Sequence, residues 1–365
     1  MPVPASYDRA RKGDERASMS RPGRRGRGNV TIQDVAREAG VSAMTVSRVI
    51  NSGGNVRERT RENVLRAIDR LRYSPNSAAR SLAAGEATHI GLFYSNPSAA
   101  YLSQFLVGAL ETAKVAGCQL VIEPCESEDE AGQREAANHL AHAGVEGVIL
   151  PPPLSESAPI LTALAKAGIP VVTVAKGKHP NPLNVRMDDC SAARQMTEYL
   201  IGLGHKRIAL IKGHPDQIAS VERERGFRLA MEAAGLAKHI VVEQGYFSFR
   251  SGLDAAEKLL RRRTPPTAIF ASNDDMAAAV VSVAHRRGLN VPGDLSVVGF
   301  DDTQLATAVW PELTTIRQPV SGMAGRALEL LLAEVRAERR GTTTGPIEAV
   351  LDHELVVRAS AASPK

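Results

Sequence analysis

The stretch that decides the first part of the fold is residues 30–51, VTIQDVAREAGVSAMTVSRVIN. Thr31 is a good N-cap, and Asp34, three residues on, can reach back toward it. Ile32, Val35, Ala36 and Ala39 recur at helical spacing on one face, and Gly40 supplies the left-handed stop. Ser42 caps a second helix at once, with Val46, Val49 and Ile50 as its inner face. Two short helices joined by a glycine-containing turn make a helix-turn-helix. A third helix, over about residues 58–72, turns Val64, Ile68 and Leu71 inward to complete a small core.

The outward side of the second helix carries the chemistry. Ala43 and Met44 occupy its first turn, where such a helix meets base edges in the major groove. Small or apolar groups there suit contact with a thymine methyl. Thr45, Ser47 and Asn51 can donate to phosphate, and Arg48 can approach a guanine or a phosphate. Singly, each reads more readily as a solvated helix face. With the caps and the glycine turn beside them, they predict a DNA-reading domain over residues 29–74.

Charge agrees with that placement. Residues 1–28 hold eight Lys/Arg against three Asp/Glu, and residues 29–85 hold nine against five. The whole chain is +5, so the remaining 280 residues sum to −4. A basic N-terminal quarter on a mildly acidic body predicts a polyanionic partner at one end. For residues 1–28, which lack apolar periodicity, a solvated disordered tail fits as well. After Tyr73 and Pro75 comes NSAARSLAAGEATH, alanine-rich and nearly without a buried face. So short a helix is marginal alone, and residues 75–86 read either as a passive linker or as a hinge helix formed on DNA. In the second case Leu82 is an apolar wedge for the minor groove.

From His89 onward, β-branched runs alternate with helical stretches: IGLFY, QLVIE, GVIL and IPVVTV, then RIALI, IVVEQ, AIFA and LSVVGF. Such alternation builds parallel, doubly wound sheets, and two series predict two α/β subdomains. Ligands of open α/β sheets bind at the carboxyl ends of strands, so a cleft between the halves is the expected site. Asn273 and Asp274 follow AIFAS, Asp301 and Asp302 follow VVGF, and Arg223 opens the helix after IALIKGHPDQIAS. Helix capping accounts for any one of these. Their recurrence at one edge, joined by Tyr101, Phe247 and the single Trp310, suits a sugar ring, which presents both C–H faces and hydroxyls.

The segment VTIQDVAREAGVSAMTVSRVIN, followed by RYSPNSAARSLAAG, resembles the headpiece and hinge of the lac repressor (LacI/GalR) family, and the similarity runs to about residue 358. The resemblance implies that Ala43 and Met44 set specificity and that Thr31, Ser42, Ser47, Arg48, Asn51, Tyr73 and Asn76 lie along the DNA. It further places Asn55 near the backbone and Ala79 in the minor groove, and it makes Leu82 the intercalating leucine. For the effector it implies Arg223 of R-x-x-G-F, Asn273 of SND, Asp301 of GFDD, Gln318 of TTIRQ and Phe247 of GYFSF, with Tyr101, Phe105 and Asp189 at the pocket wall. Arg57 departs from the capping Ser or Thr of many relatives, and the basic extension has no counterpart.

The expected architecture is therefore α/β: a three-helix headpiece plus hinge helix, joined to a periplasmic-binding-protein-like core of two doubly wound parallel-sheet subdomains. Residues 87–365 form that core, with 87–187 and 319–341 in the N-subdomain and 188–318 and 342–360 in the C-subdomain. The expected function is a repressor of operator DNA controlled by a small effector, whose pattern resembles sugar-responsive members more than purine-responsive ones. A homodimer is expected, because no apolar heptad follows LDHELVVRAS. A DNA-bending protein without ligand control is the competing reading.

Catalysis is not expected. GxxxxGK[ST], HExxH and a G-x-S-x-G elbow after a strand are all missing. Cys118, Cys125 and Cys190 are odd in number and lack metal-ligand spacing, so neither a disulfide nor a metal or other cofactor is predicted. No apolar run approaches the ~20 residues of a membrane span, and the N-terminus lacks the apolar core of a secretory signal, which predicts a cytoplasmic protein.

Overall fold

The computed structural model describes residues 32–50, 56–71, 88–125, 129–177 and 181–365. The chain divides into two units, Met1–Asn76 and Ser77–Lys365. In the first, α1 (Ile32–Ala39), α2 (Ala43–Ile50) and α3 (Glu58–Leu71) pack around Val35, Ala36, Val46, Val49, Val64 and Ala67. Gly40 takes φ 66° between α1 and α2, a left-handed turn that glycine adopts without a steric penalty. Arg70 of α3 pairs with Glu38 of α1 at 3.0 Å across the surface of this core.

In the second unit the first series is β1 (His89–Tyr94), α4 (Ala99–Ala116), β2 (Gln119–Pro124), α5 (Glu130–His142), β3 (Gly147–Leu150), α6 (Ala158–Lys166), β4 (Val171–Val174) and β5 (Leu183–Arg186). The second is α7 (Asp189–Gly202), β6 (Ile208–Lys212), α8 (Ile218–Ala233), β7 (Val241–Gln244), α9 (Phe249–Leu260), β8 (Ala268–Ala271), α10 (Asp274–Arg286) and β9 (Ser296–Val298). The chain ends with α11 (Gln304–Ala308), β10 (Thr315–Arg317), α12 (Val320–Glu338), β11 (Ile347–Val350) and β12 (Glu354–Val356).

Six strands form one parallel sheet in the order β11-β5-β4-β3-β1-β2, and four form another in the order β7-β6-β8-β9. Strands covered on both faces need continuous apolar runs rather than alternation. GVIL, VVTV and AIFA are such runs, and every residue in them is buried. The chain passes from the first sheet to the second around Met187 and returns at Gln318 into α12.

One boundary differs from expectation. Residues 342–360 were assigned by sequence to the C-subdomain, yet Ile347–Val350 pairs in parallel with Leu183–Arg186 as the edge of the first sheet. Gly341 and Gly345 take φ 72° and 77° where the chain turns back after α12, and pairing with β5 at the edge of the first sheet captures the returning segment. The last crossing therefore follows Val350, and β12 then pairs antiparallel with β10. No helix among the described residues is long and apolar enough to cross a membrane.

Candidate functional site

In the helical unit, Ser42 Oγ accepts from Thr45 N at 3.2 Å and shares a 2.9 Å hydrogen bond with Thr45 Oγ1. That cap starts α2 with Met44 outward, 66% exposed. Arg48, one turn later, is exposed and lies 3.9 Å from Met44 Sδ. Ser47 is half-buried, and Ala43 is half-buried against the three-helix core. Ser42, Met44 and Arg48 therefore form the open edge of α2. Thr31, Asn51, Asn55, Tyr73, Asn76, Ala79 and Leu82 lie outside the described residues, as do the 1–28 tail and the 75–86 hinge.

In the α/β unit, both sheets reverse their winding at one place, between β1 and β3 in the first and between β6 and β8 in the second. Crevices open at the carboxyl ends of strands at such switch points. Here β1 runs out into Asn96-Pro97-Ser98, β3 into Pro152, and β8 into Ser272-Asn273. Asn96, Ser98, Pro152 and Asn273 line one shared cavity together with Tyr101, Asp189, Arg223, Phe247, Asp301 and Gln318. Seven of the nine residues expected at an effector site thus meet in one place.

Arg223 is its electrostatic centre. Gly226, one turn along α8, makes this possible: a Cβ there would lie 2.1 Å from Cys190 O. Without it α8 seats directly on α7, and Arg223 Nε donates to Asp189 Oδ1 at 2.8 Å. Nη1 donates to Ser272 O at 2.5 Å and lies 3.8 Å from Asp301 Oδ1. The guanidinium carbon sits 3.7 Å from the centre of the Phe300 ring, a cation–π contact in a dry setting. Gln318 Nε2 donates to Asp301 Oδ1 at 2.6 Å, tying the strand end to the crossing segment.

Burial pushes the Asp301 carboxyl up to about 7, against the pull of Arg223 and Gln318. Burial, then the charges of Asp301 and Asp189, raises the Tyr101 hydroxyl. The Asp275 carboxyl is also raised by burial, with Ser98 opposing. Among the described residues, four non-glycine residues take positive φ: Ala175 (75°), Phe247 (59°), Asp301 (113°) and Asp302 (54°). Three of them, Ala175, Phe247 and Asp301, line the cavity, and such conformations persist where surrounding structure over-determines them, commonly at ligand clamps.

Asn273 both caps a helix and lines the cavity. Its Oδ1 caps α10 by accepting from Met276 N at 3.0 Å, while its Nδ2 donates to Phe247 O at 2.8 Å. Asp274 is structural: fully buried, it accepts from Thr303 N at 2.8 Å and Thr315 Oγ1 at 2.7 Å. Asp302 pairs with Arg317 and Arg358 at 2.7 and 2.6 Å.

Two expected residues are not at the cavity. Trp310 is 79% exposed, because Ala306 and Leu313 turn inward from its loop and leave the ring outside. Phe105, one turn after Tyr101, is fully buried in the core under α4. Asn96, Ser98 and Gln217 were missed, although the strand-end rule that found Asn273 applies equally to the segment after IGLFY.

The halves are bonded across the opening. Ser98 Oγ donates to Asp275 Oδ2 at 2.7 Å, Ile218 N to Glu156 Oε1 at 3.0 Å, and Lys176 Nζ to Glu222 Oε1 at 3.1 Å. The cavity they close is about 50 Å³, measured as room for the centres of water-sized spheres. That holds a few waters, so a larger guest requires the halves to part.

The profile of bacterial regulatory proteins, lacI family, matches residues 31–76, and that of the periplasmic binding protein-like domain matches 197–361. Catabolite control protein A of Priestia megaterium is 35% identical over 314 residues, 85% of this chain and 94% of its own length. A solved transcriptional regulator CelR–cellobiose complex aligns with TM-score 0.68 and 33% identity, covering 91% of this chain and 100% of that one. A lac repressor dimer bound to operator and the anti-inducer ONPF aligns with TM-score 0.68 and 28% identity, covering 92% and 100%. The chain belongs to the lacI family of bacterial regulatory proteins, DNA-binding transcription regulators with a periplasmic-binding-protein-like core.

Proposed function

We propose that this regulator is a repressor whose affinity for operator DNA is set by a sugar bound between the two halves of its α/β unit. The observation that carries this reading is the cavity at the paired switch points, where Asp189, Arg223, Asn273, Asp301 and Gln318 converge on one small volume. Carboxylate, amide and guanidinium groups around Phe247 and Tyr101 offer hydroxyl partners and apolar faces together. The likeness to a cellobiose-bound regulator supports a sugar.

On this reading Met44 and Arg48 meet base edges, Ser42, Thr45 and Ser47 meet phosphates, and Leu82 in the hinge wedges a base step. Two copies read two half-sites. The support for a homodimer is Val107, Leu110 and Val115, 48%, 52% and 80% exposed along one face of α4. Beside them the edge strand β2 leaves Ile122 44% exposed. An apolar face of this kind marks an interaction surface.

Fluorescence anisotropy with labelled operator, titrated with a sugar panel and with adenine and guanine as controls, tests the proposal. A sugar that shifts operator affinity at least about fivefold is the expected result. A shift by a purine alone, or by nothing in the panel, overturns the sugar reading.

A further inference from the structure

Four helices begin at the cavity, through Ser98 and Tyr101 at α4, Asp189 at α7, Gln217 and Ala219 at α8, and Asn273 at α10. Uncapped helix N-termini attract anions through free N–H groups and the helix dipole. Here the protein has supplied each with an acceptor. Ser98 Oγ accepts from Tyr101 N at 3.4 Å, Asp188 Oδ1 from Ser191 N at 2.9 Å, and Asn273 Oδ1 from Met276 N at 3.0 Å. Helix α8 has no side-chain cap of its own, and Glu156 Oε1 of the other half accepts from Ile218 N at 3.0 Å. Two of these four acceptors are carboxylates.

The cavity's own cation is engaged in the same way. Arg223 is held by Asp189 and Ser272 O at 2.8 and 2.5 Å, with its side chain only 5% exposed. Lys176, beside Ala175 on the wall, is paired with Glu222 at 3.1 Å. Against that one guanidinium stand Asp189 and Asp301 on the wall and Asp275, whose carboxylate lies 2.7 Å from Ser98 Oγ. Among the described residues, neither Asp189 Oδ2 nor Asp301 Oδ2 receives a hydrogen bond. Above pH about 7, where Asp301 has lost its proton, the unspent capacity of the site is therefore acceptor capacity in a surplus of negative charge.

We propose that the cavity selects an effector that donates hydrogen bonds and carries no negative charge, an unmodified polyol, and rejects phosphorylated or acidic sugars of the same skeleton. This rests on the sugar reading above and adds the charge class to it. Hydroxyls donate to the spare carboxylate oxygens, whereas a phosphate or carboxylate meets acidic groups in a closed space, where like charges repel strongly. Asp275 is the discriminating residue outside the wall itself: it adds a carboxylate behind Ser98 and Asn273 that is not bonded to Arg223.

Calorimetry on the full chain with matched pairs tests this: ribose with ribose 5-phosphate, glucose with glucose 6-phosphate and glucuronate, cellobiose with cellobionate. The neutral member of any binding pair is expected to bind at least about a hundredfold more tightly. Asp275→Asn, which keeps an acceptor for Ser98, is expected to narrow that ratio several-fold while leaving the thermal midpoint nearly unchanged. An anionic member that binds as tightly as its neutral partner, or a ratio untouched by Asp275→Asn, overturns the charge inference and leaves the sugar reading standing. Binding by no member of any pair overturns both.

Discussion

Removing the Arg223 side chain leaves Asp189 and Asp301 buried without their nearest cation, 2.8 and 3.8 Å away in the intact protein. A buried ion pair broken on one side typically loses about 3–5 kcal/mol. Arg223→Ala is therefore expected to destabilise the α/β unit by about 3 kcal/mol as well as to abolish the effector response. Urea unfolding followed beside operator binding checks this, and a loss below about 1 kcal/mol would mean that the network is not holding the fold. Asp301 gives a pH signature. Its carboxyl is pushed up to about 7 by burial, so the folded state keeps a proton that the unfolded chain releases near pH 4. Folded-state proton excess makes stability fall as pH rises through that window, with the loss complete above the folded value. Asp301→Asn should flatten the decline between pH about 4 and 7 in denaturation midpoints. An identical slope in both proteins would assign the decline to other groups.

At the scale of elements, the approach of α8 to α7 depends on Gly226. A methyl there would sit 2.1 Å from Cys190 O, a backbone atom that cannot swing away. Gly226→Ala is expected to cost about 1–3 kcal/mol by overpacking and to weaken effector binding by displacing Arg223 from Asp189. Gly202→Ala, in the last turn of α7 with nothing within 4 Å of the added carbon, is the control and should be neutral or slightly stabilising. Equal effects of the two would remove close approach as the explanation. The elements themselves were legible because period and strand length are local properties: GVIL, VVTV and AIFA read as doubly covered strands and are. The polar wall was legible because topology fixes where strands end, and Arg223, Asn273 and Asp301 do line one cavity. Trp310 and Phe105 went astray because residue type says nothing of which side of a loop or which depth of a helix faces the opening. The return of Ile347–Val350 to the first sheet escaped because strand partners beyond a turn are set by tertiary pairing rather than by the segment's own pattern. Ser98 and Glu156 escaped for a related reason, since their partners Asp275 and Ile218 lie 177 and 62 residues away.

For the whole molecule, regulation requires that the effector distinguish two states of the protein, because a ligand with equal affinity for both shifts nothing. The cleft supplies the difference. Closed, it keeps the Ser98–Asp275, Ile218–Glu156 and Lys176–Glu222 bonds and about 50 Å³ of space; on the proposed reading a sugar enters as some of these part. Whichever state the sugar prefers, the proposed coupling to the operator must be reciprocal. If sugar changes operator affinity by a given factor, operator must change sugar affinity by the same factor. Measuring both arms on the full chain, anisotropy for operator and calorimetry for sugar, should give factors that agree within error and lie between about 5 and 150. Ser98→Ala, which deletes one closing bond yet leaves Arg223 in place, should move the shared factor away from its wild-type value, because it biases the equilibrium between the closed and parted cleft. A factor left at its wild-type value in Ser98→Ala, with sugar affinity weakened equally with and without operator, would place Ser98 in direct sugar contact and take the cross-cleft bond out of the switch.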